Sequence, residues 1–394
     1  MSRAQRIGIL TGGGDVPGLN AVIKSVTFRA TELDYEVVGL RRGWQGLTHV
    51  RPGSPRVHDY AIPLDRVVTR AIDRTGGTML HTSRTNPTRM HRDALPPWLD
   101  RSQRTAMACA DGTFDLTPLV LDHIAALGLD CLVAIGGDDT LSYAARLHAE
   151  GVPLLAIPKT MDNDVPGTEY CIGFSTAVTR GKELINRQRT TLGSHERIGV
   201  FRIFGRDAGF TALYTAFVTS SRCLIPEAPF DLDRLMTLLV EDRRSNPSGY
   251  AFVIAAEGAT WLGGAFEELG PADAFGHRHK ANVADVLAAE IRGRTGIETV
   301  ASELTYDLRS GEPDSLDQLV AITFANTAMD LLAGGVTGRM MAVREGRYST
   351  APLPGPDEHA RRVDVDVQYN TERLRPRYDG LIGRPLLLSM PLPG

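Results

Sequence analysis

The sequence predicts an α/β protein of two similar-sized domains, and three observations carry that reading. Short apolar runs alternate with segments of helical period, and a Gly-rich or charged corner separates each run from its helix. The third is length, since 394 residues suit two α/β domains sharing one body better than one. Such alternation gives mostly parallel, doubly wound sheets, whose ligands sit beyond the carboxyl ends of the strands. Functional residues are therefore expected in the corners.

Ile7–Leu10 reads as the first strand, followed by the corner Thr11–Gly18 and by Leu19, Val22, Ile23, Val26 and Ala30 at helical spacing. Cys131–Ile135 leads into Gly136–Asp139 and a helix over Leu141–Ala149. Leu154–Ile157 leads into Pro158–Pro166, with helical material after Ser175. Ile198–Phe204 runs into Gly205–Gly209 and a further helix, and Phe252–Ala255 precedes Glu257 and Gly258. Residues 91–113, polar and Pro-containing, are expected as a surface excursion. Ala351–Glu358 is expected as a connection into a Pro-rich tail.

Hydrophobic residues make up 42% and charged residues 23% of the chain, ordinary for a soluble globular protein and against disorder as the main state. A formal net charge of −4 leaves no basic field for nucleic acid, and no Lys/Arg block addresses a membrane surface. No apolar stretch approaches the roughly 20 residues that cross a bilayer, and Ile7–Leu10 begins too early to leave room for a signal peptide. Cys109, Cys131, Cys171 and Cys223 form no Cys-x-x-Cys pair. A zinc site or disulfide framework is thus not expected, and a reducing, cytoplasmic compartment is. Each cysteine reads as a buried small hydrophobe. Trp44, Trp98 and Trp261 lack the spacing of a base-stacking platform, and no His-x-x-x-His pair suggests a metal cluster. His277 and His279 beside Lys280 read as a charged, solvated turn.

Three corners carry chemistry. In Thr11–Asn20 (TGGGDVPGLN), glycines let backbone approach phosphate oxygens and the following helix N-terminus favours an anion. No Gly-Lys-Ser/Thr follows, so this is not a Walker A loop, and a dinucleotide fingerprint would need a third glycine that is missing. A plain tight turn remains open. In Gly136–Thr140 (GGDDT), carboxylates at a strand end suit a Mg²⁺ shared with phosphate oxygens. A helix cap by Asp139 or Thr140 is the alternative, weakened because a cap needs one residue and not two. In Pro158–Asp164 (PKTMDND), two carboxylates beside a lysine and a threonine fit a general base, an ion or phosphate contact and a charge clamp.

Together these corners resemble the phosphofructokinase family. Gly13–Asn20 matches its Gly-Gly-Asp-x-Pro-Gly-x-Asn opening, Gly136–Asp138 its Gly-Gly-Asp corner and Thr160–Asp164 its Thr-x-Asp-Asn-Asp loop. Further matches follow in order: Gly77–Arg84, Arg197, Gly205 and Arg206 within FGRDAG, Pro226-Glu227, Glu257, and Arg309 within YDLRSGEP. The similarity runs from about residue 6 to about residue 345.

The resemblance implies two Rossmann-like domains with the active site in the cleft between them. The donor domain would comprise residues 1–173 plus about 308–358, and the sugar-phosphate domain 174–307 plus about 359–394. It also implies a homodimer or homotetramer with acceptor sites shared between subunits. Asp162 would take the proton from the sugar's 1-hydroxyl, and Thr160 would contact the transferring phosphoryl group. Asp138 would be the Mg²⁺ carboxylate, with Asp164 supporting the metal and base region. Arg84 and Arg206 would clamp the donor phosphates, and Gly14 would offer them its backbone. Glu257, Arg197 and Arg309 would hold the sugar and its remote phosphate, beside Phe204, Gly205 and Tyr306.

Donor choice rests on two residues in this resemblance. Members using ATP usually carry glycine where this chain has Asp139, and members using pyrophosphate resemble this chain. A carboxylate there would repel the nucleotide's α-phosphate by about 4 kcal/mol for charges some 4 Å apart at an intermediate dielectric. Lys159 would offset the charge of a compact donor. Pyrophosphate is therefore the expected donor, with ATP the alternative. Fructose 6-phosphate is the expected acceptor, and a longer or epimeric ketose phosphate such as sedoheptulose 7-phosphate stays open.

Three departures bear on that choice. Val300 stands where many members supply an arginine to the 6-phosphate, a contact worth up to about 3 kcal/mol. Phe204 replaces a usual methionine, and Tyr306 a common histidine. Lys24 matches one effector-site cation, but Phe28, Asn246 and Ser248 replace others, so allosteric control by ADP or phosphoenolpyruvate is not expected. A kinase of the NAD or lipid kinase group shares only the Gly-Gly-Asp corner. A non-catalytic sugar-phosphate-binding subunit would be expected to have lost Asp162 or Asp138.

Overall fold

Apolar runs such as Cys131–Gly136 and Leu154–Pro158 carry no polar alternation and are buried along their whole length, as strands covered on both faces must be. A computed structural model describes residues 5–263, 268–269, 279–280, 282–356 and 358–385. Of the charged turn expected at His277, His279 and Lys280, His277 lies outside the described residues, while His279–Lys280 is not a turn but a short strand paired antiparallel with Glu268–Leu269.

In chain order the strands of the two main sheets are β1 (Arg6–Thr11), β2 (Glu36–Leu40), β3 (Ala61–Leu64), β4 (Cys131–Gly136), β5 (Leu154–Pro158), β6 (Ile198–Ile203), β7 (Arg222–Leu224), β8 (Ala251–Ala256), β9 (Thr299–Glu303), β10 (Arg339–Arg344) and β11 (Arg347–Pro352). The larger sheet runs β11-β10-β5-β4-β1-β2-β3, parallel from β10 to β2 and antiparallel at both edges. The smaller sheet, β9-β6-β8-β7, is wholly parallel.

The chain passes between the sheets more than once. Helix Phe174–Ser194 leads from the larger sheet to the smaller, and helix Ser315–Ala333 returns to pack on helix Leu19–Glu32 beside β1. After β11 the chain leaves again, and Arg375–Pro376 packs by β7 and helix Phe210–Thr219. Asp317 ties the return helix to the outgoing one. Its buried carboxylate accepts from the Tyr170 hydroxyl (2.7 Å), the amides of Gly173 and Thr176 (each 2.8 Å) and the Thr176 hydroxyl (2.6 Å). Burial pushes its pKa up to about 6 despite those donors.

Four expectations need adjustment. The helix expected from Leu141 already begins at Asp138, so the acidic residues of the corner sit in its first turn, where its dipole favours them. The strand expected through Phe204 stops at Ile203, leaving Phe204 in the corner. Residues 91–113 are more than an excursion, because they contain helix Arg101–Ala106 and contribute Leu95 and Leu99 to a small core with Met90 and Leu116. Cys131, Cys171 and Cys223 are buried, whereas Cys109 is half-buried. Among the described residues no helix is long and apolar enough to cross a membrane.

Candidate active site

The corners after β1, β4 and β5 of the larger sheet meet those after β6, β8 and β9 of the smaller sheet around one cleft of about 610 Å³. Gly14, Arg84, Asp138, Asp139, Lys159, Thr160, Asp162 and Asp164 line it from one side. Phe204, Arg206, Glu257, Tyr306 and Arg309 line it from the other.

The glycine loop is fixed by its own backbone. The Gly12 amide donates to the Ile135 carbonyl (2.9 Å) and the Gly13 amide to the Ser83 carbonyl (3.0 Å). The loop lies apart from the helix that follows, which starts only at Leu19 behind a left-handed Gly18. At Gly14 a side chain would collide with Arg309, since an added Cβ would lie 2.3 Å from Nη2. On the neighbouring corner, neither Asp139 nor Thr140 caps the helix, whose N-cap is Gly137 without a side-chain bond. Capping therefore does not account for the doubled aspartate.

Lys159 is buried and donates its Nζ to the Gly14 carbonyl (2.6 Å), joining the first and third corners. Burial, then the nearby Arg309 charge, lowers its pKa to about 8 against the pull of Asp138, Asp15 and Asp164. The Asp162 amide donates to Thr160 Oγ1 (3.1 Å), while Asp162 Oδ1 is buried and has no partner. Burial raises the Asp162 pKa well above the usual carboxylate range, Asp164 and Glu257 add to it, and Arg206 and Arg309 oppose it. Asp164 is raised as well, by burial and then by Asp138. Between them, Asn163 takes a left-handed conformation (φ 56°) and braces the loop, its Nδ2 donating to the Glu169 carbonyl (3.0 Å) and its Oδ1 accepting the Cys171 amide (2.8 Å).

Across the cleft the Arg309 guanidinium lies 5.1 Å from the Phe204 ring centroid and 5.8 Å from that of Tyr306. The two aromatic departures thus share one partner and aim it at the donor-side corners. Arg206 donates Nε to Asp207 (2.9 Å).

The lining holds Arg84, Lys159, Arg202, Arg206 and Arg309 against seven carboxylates, those of Asp138, Asp139, Asp162, Asp164, Asp207, Glu257 and Glu303. A polyanionic ligand would need further positive charge here. Among the described residues no group of three or more His, Cys, Asp or Glu side chains could hold a metal alone. A hard cation can instead be held by one or two carboxylates and completed by substrate oxygens and water. The raised Asp164, with Asp138 beside it, fits such an ion.

The family profile described as Phosphofructokinase matches residues 6–332. The chain belongs to the phosphofructokinase family. It is 36% identical over 368 residues to a relative named ATP-dependent 6-phosphofructokinase 3 from Streptomyces coelicolor, covering 92% of this chain and 98% of that one. A second relative from the same organism, named pyrophosphate–fructose 6-phosphate 1-phosphotransferase, is 36% identical over 367 residues, covering 91% and 96%. A solved structure described as a pyrophosphate-dependent phosphofructokinase from Marinobacter aquaeolei superposes with a TM-score of 0.73 at 17% identity, covering 98% of this chain and 92% of that one. Family membership makes this chain a phosphotransferase.

Two of the residues expected in the phosphofructokinase site stand apart from the cleft lining. Arg197 precedes the amino end of β6, opposite the corners, and its Nε pairs with Glu298 (2.8 Å). Gly205 turns the corner with φ 122°, where a Cβ would lie 2.6 Å from the Ala208 carbonyl oxygen, so it shapes the site without lining it. Conversely, the sequence reading missed Arg202 and Glu303. Arg202 pairs with Glu303 and also, at 3.3 Å, with Glu257, occupying the carboxylate expected to hold the sugar. A charged residue within an otherwise apolar strand, two positions before Phe204, was the available signal. Val300 is half-buried and packs against the core.

Proposed function

We propose that this phosphofructokinase transfers a phosphoryl group from pyrophosphate to the 1-hydroxyl of fructose 6-phosphate, giving fructose 1,6-bisphosphate and orthophosphate. The observation that carries the reading is Asp139 in the first turn of the helix behind Gly137, lining the donor side of the cleft. A carboxylate there tolerates a compact donor beside Lys159 and opposes an α-phosphate further along. The pyrophosphate-named relative supports the same donor.

In this reading Arg84, Lys159 and Arg206 hold the donor, and Thr160 meets the transferring group. Asp138, with Asp164 behind it, would hold Mg²⁺, which when bound supplies charge neutralisation on the donor phosphates. Asp162 accepts the proton as the acceptor oxygen forms its bond to phosphorus and the bridging P–O bond breaks, releasing orthophosphate. Its raised proton affinity makes it a stronger base than an ordinary carboxylate. Glu257 and Arg309 serve the acceptor, flanked by Phe204 and Tyr306. Arg197, outside its own chain's cleft, would reach the acceptor site of a second subunit, which supports a homodimer or homotetramer. The domain division proposed is 1–173 plus about 308–358 against 174–307 plus about 359–394, of which 386–394 lie outside the described residues. Lys24 is engaged by Asp73 (2.9 Å), which supports an enzyme without an effector site there.

The test is phosphorylation of fructose 6-phosphate with Mg²⁺, comparing pyrophosphate and ATP. Turnover with pyrophosphate alone is expected. The ATP-dependent name of one relative favours ATP as the second reading, and turnover with ATP alone would establish it in place of the first.

Lys159 gives this reading a pH signature. With a pKa of about 8 it is protonated below that pH and loses its charge as pH rises through it. The KM for pyrophosphate should therefore climb above pH 8, by up to about tenfold per unit once the neutral form dominates. Lys159→Arg should flatten the climb, because a guanidinium stays charged there. An unchanged profile in that variant would remove Lys159 from donor binding.

A further inference from the structure

We infer that Arg361 is a positioning residue for the catalytic base, an inference that rests on the role proposed for Asp162. Arg361 lies beyond residues 6–332, the span matched by the family profile. Its Nη1 donates to the Asn163 carbonyl (3.0 Å) and to the Glu169 carbonyl (3.0 Å), and its backbone amide donates to the Asp164 carbonyl (2.7 Å). Consecutive carbonyls of the loop carrying Asp162 and Asp164 are thus gripped by one residue 198 positions away. The guanidinium also stacks 4.3 Å from the Phe210 ring centroid, which fixes its plane.

The grip reaches the other side of the cleft. Two residues on, the Val363 amide donates to Glu227 Oε1 (2.9 Å), and the same carboxylate accepts the Gly209 amide (2.9 Å), which ends the corner carrying Arg206. The strap Arg361–Val363 therefore spans from the base loop to the Arg206 corner. Asn163 needs such bracing, since its left-handed backbone is one that non-glycine residues seldom adopt. Burial lowers the Arg361 pKa.

The experiment compares purified Arg361→Gln, Arg361→Lys and Asp162→Asn with the parent enzyme. It reads kcat and KM for pyrophosphate and fructose 6-phosphate, and thermal unfolding. Arg361→Gln is expected to lose about 10- to 100-fold in kcat with both KM values within about twofold, as for misplacement of a reacting group. Arg361→Lys should recover only part of kcat, since an ammonium cannot reproduce the planar double grip. Parent-like kcat in either folded variant would overturn the inference, as would a loss confined to thermal stability. If Arg361→Gln fails to fold, Arg361→Lys decides alone: undiminished kcat sinks the positioning role. An active Asp162→Asn would instead sink the base assignment, which separates the two failures.

Discussion

Asp162→Asn should cut kcat by about 10²–10⁴-fold, the usual span for losing a positioned general base, while both KM values and the fold stay close to those of the parent. The asparagine is isosteric and keeps the backbone bond to Thr160, but its amide takes no proton from the acceptor hydroxyl. Asp162 is also the carboxyl whose proton affinity is raised by burial, Asp164 and Glu257, and that titration is lost with it. The residual activity should therefore lack the parent's acid limb. Steady-state kinetics across pH check both points. A loss below about fivefold would mean that Asp162 does not act as the base.

The second large effect is a change of donor. Asp139→Gly should improve ATP use relative to pyrophosphate by about a thousandfold, the equivalent of about 4 kcal/mol of repulsion at an effective dielectric of about 20. The helix that Asp139 enters has Asp138 beside it in its first turn, so one dipole-favoured carboxylate remains after the change. Stability should fall by only about 1 kcal/mol, the helix-interior cost of glycine. The ratio of kcat/KM for the two donors is the readout. An unaltered ratio would show that the filter lies elsewhere on the donor side.

The corners of the site were legible because each follows an apolar run buried on both faces, where any polar cluster must mark a strand end. The carboxylates of Gly136–Thr140 and Pro158–Asp164 were found for that reason, as was the alternation that gives the parallel sheets. The short strands β7 and β3 carry too few residues to show a period, and the edge strand β11, though six residues long, is polar and largely exposed rather than an apolar run. Arg202 was overlooked because a strand was read as apolar filling, though its charge is compensated at the neighbouring strands of the same sheet by Glu257 and Glu303. Arg197 shows the converse limit. A matched motif gives a residue's place in the chain, whereas a position before β6 takes it to the far edge of the sheet. Arg361 bears no local pattern at all, because its partners lie nearly two hundred residues away and are backbone carbonyls.

That distance sets an order of events in synthesis. Every strand of both main sheets is translated before Arg361, since the last of them ends at Pro352. A nascent chain can therefore pair the smaller sheet and strands β1, β2, β4 and β5, and form the glycine corners, while the loop bearing Asp162 is still unfastened from behind. Its phosphoryl-transfer site is completed late, when most of the surrounding protein is already in place.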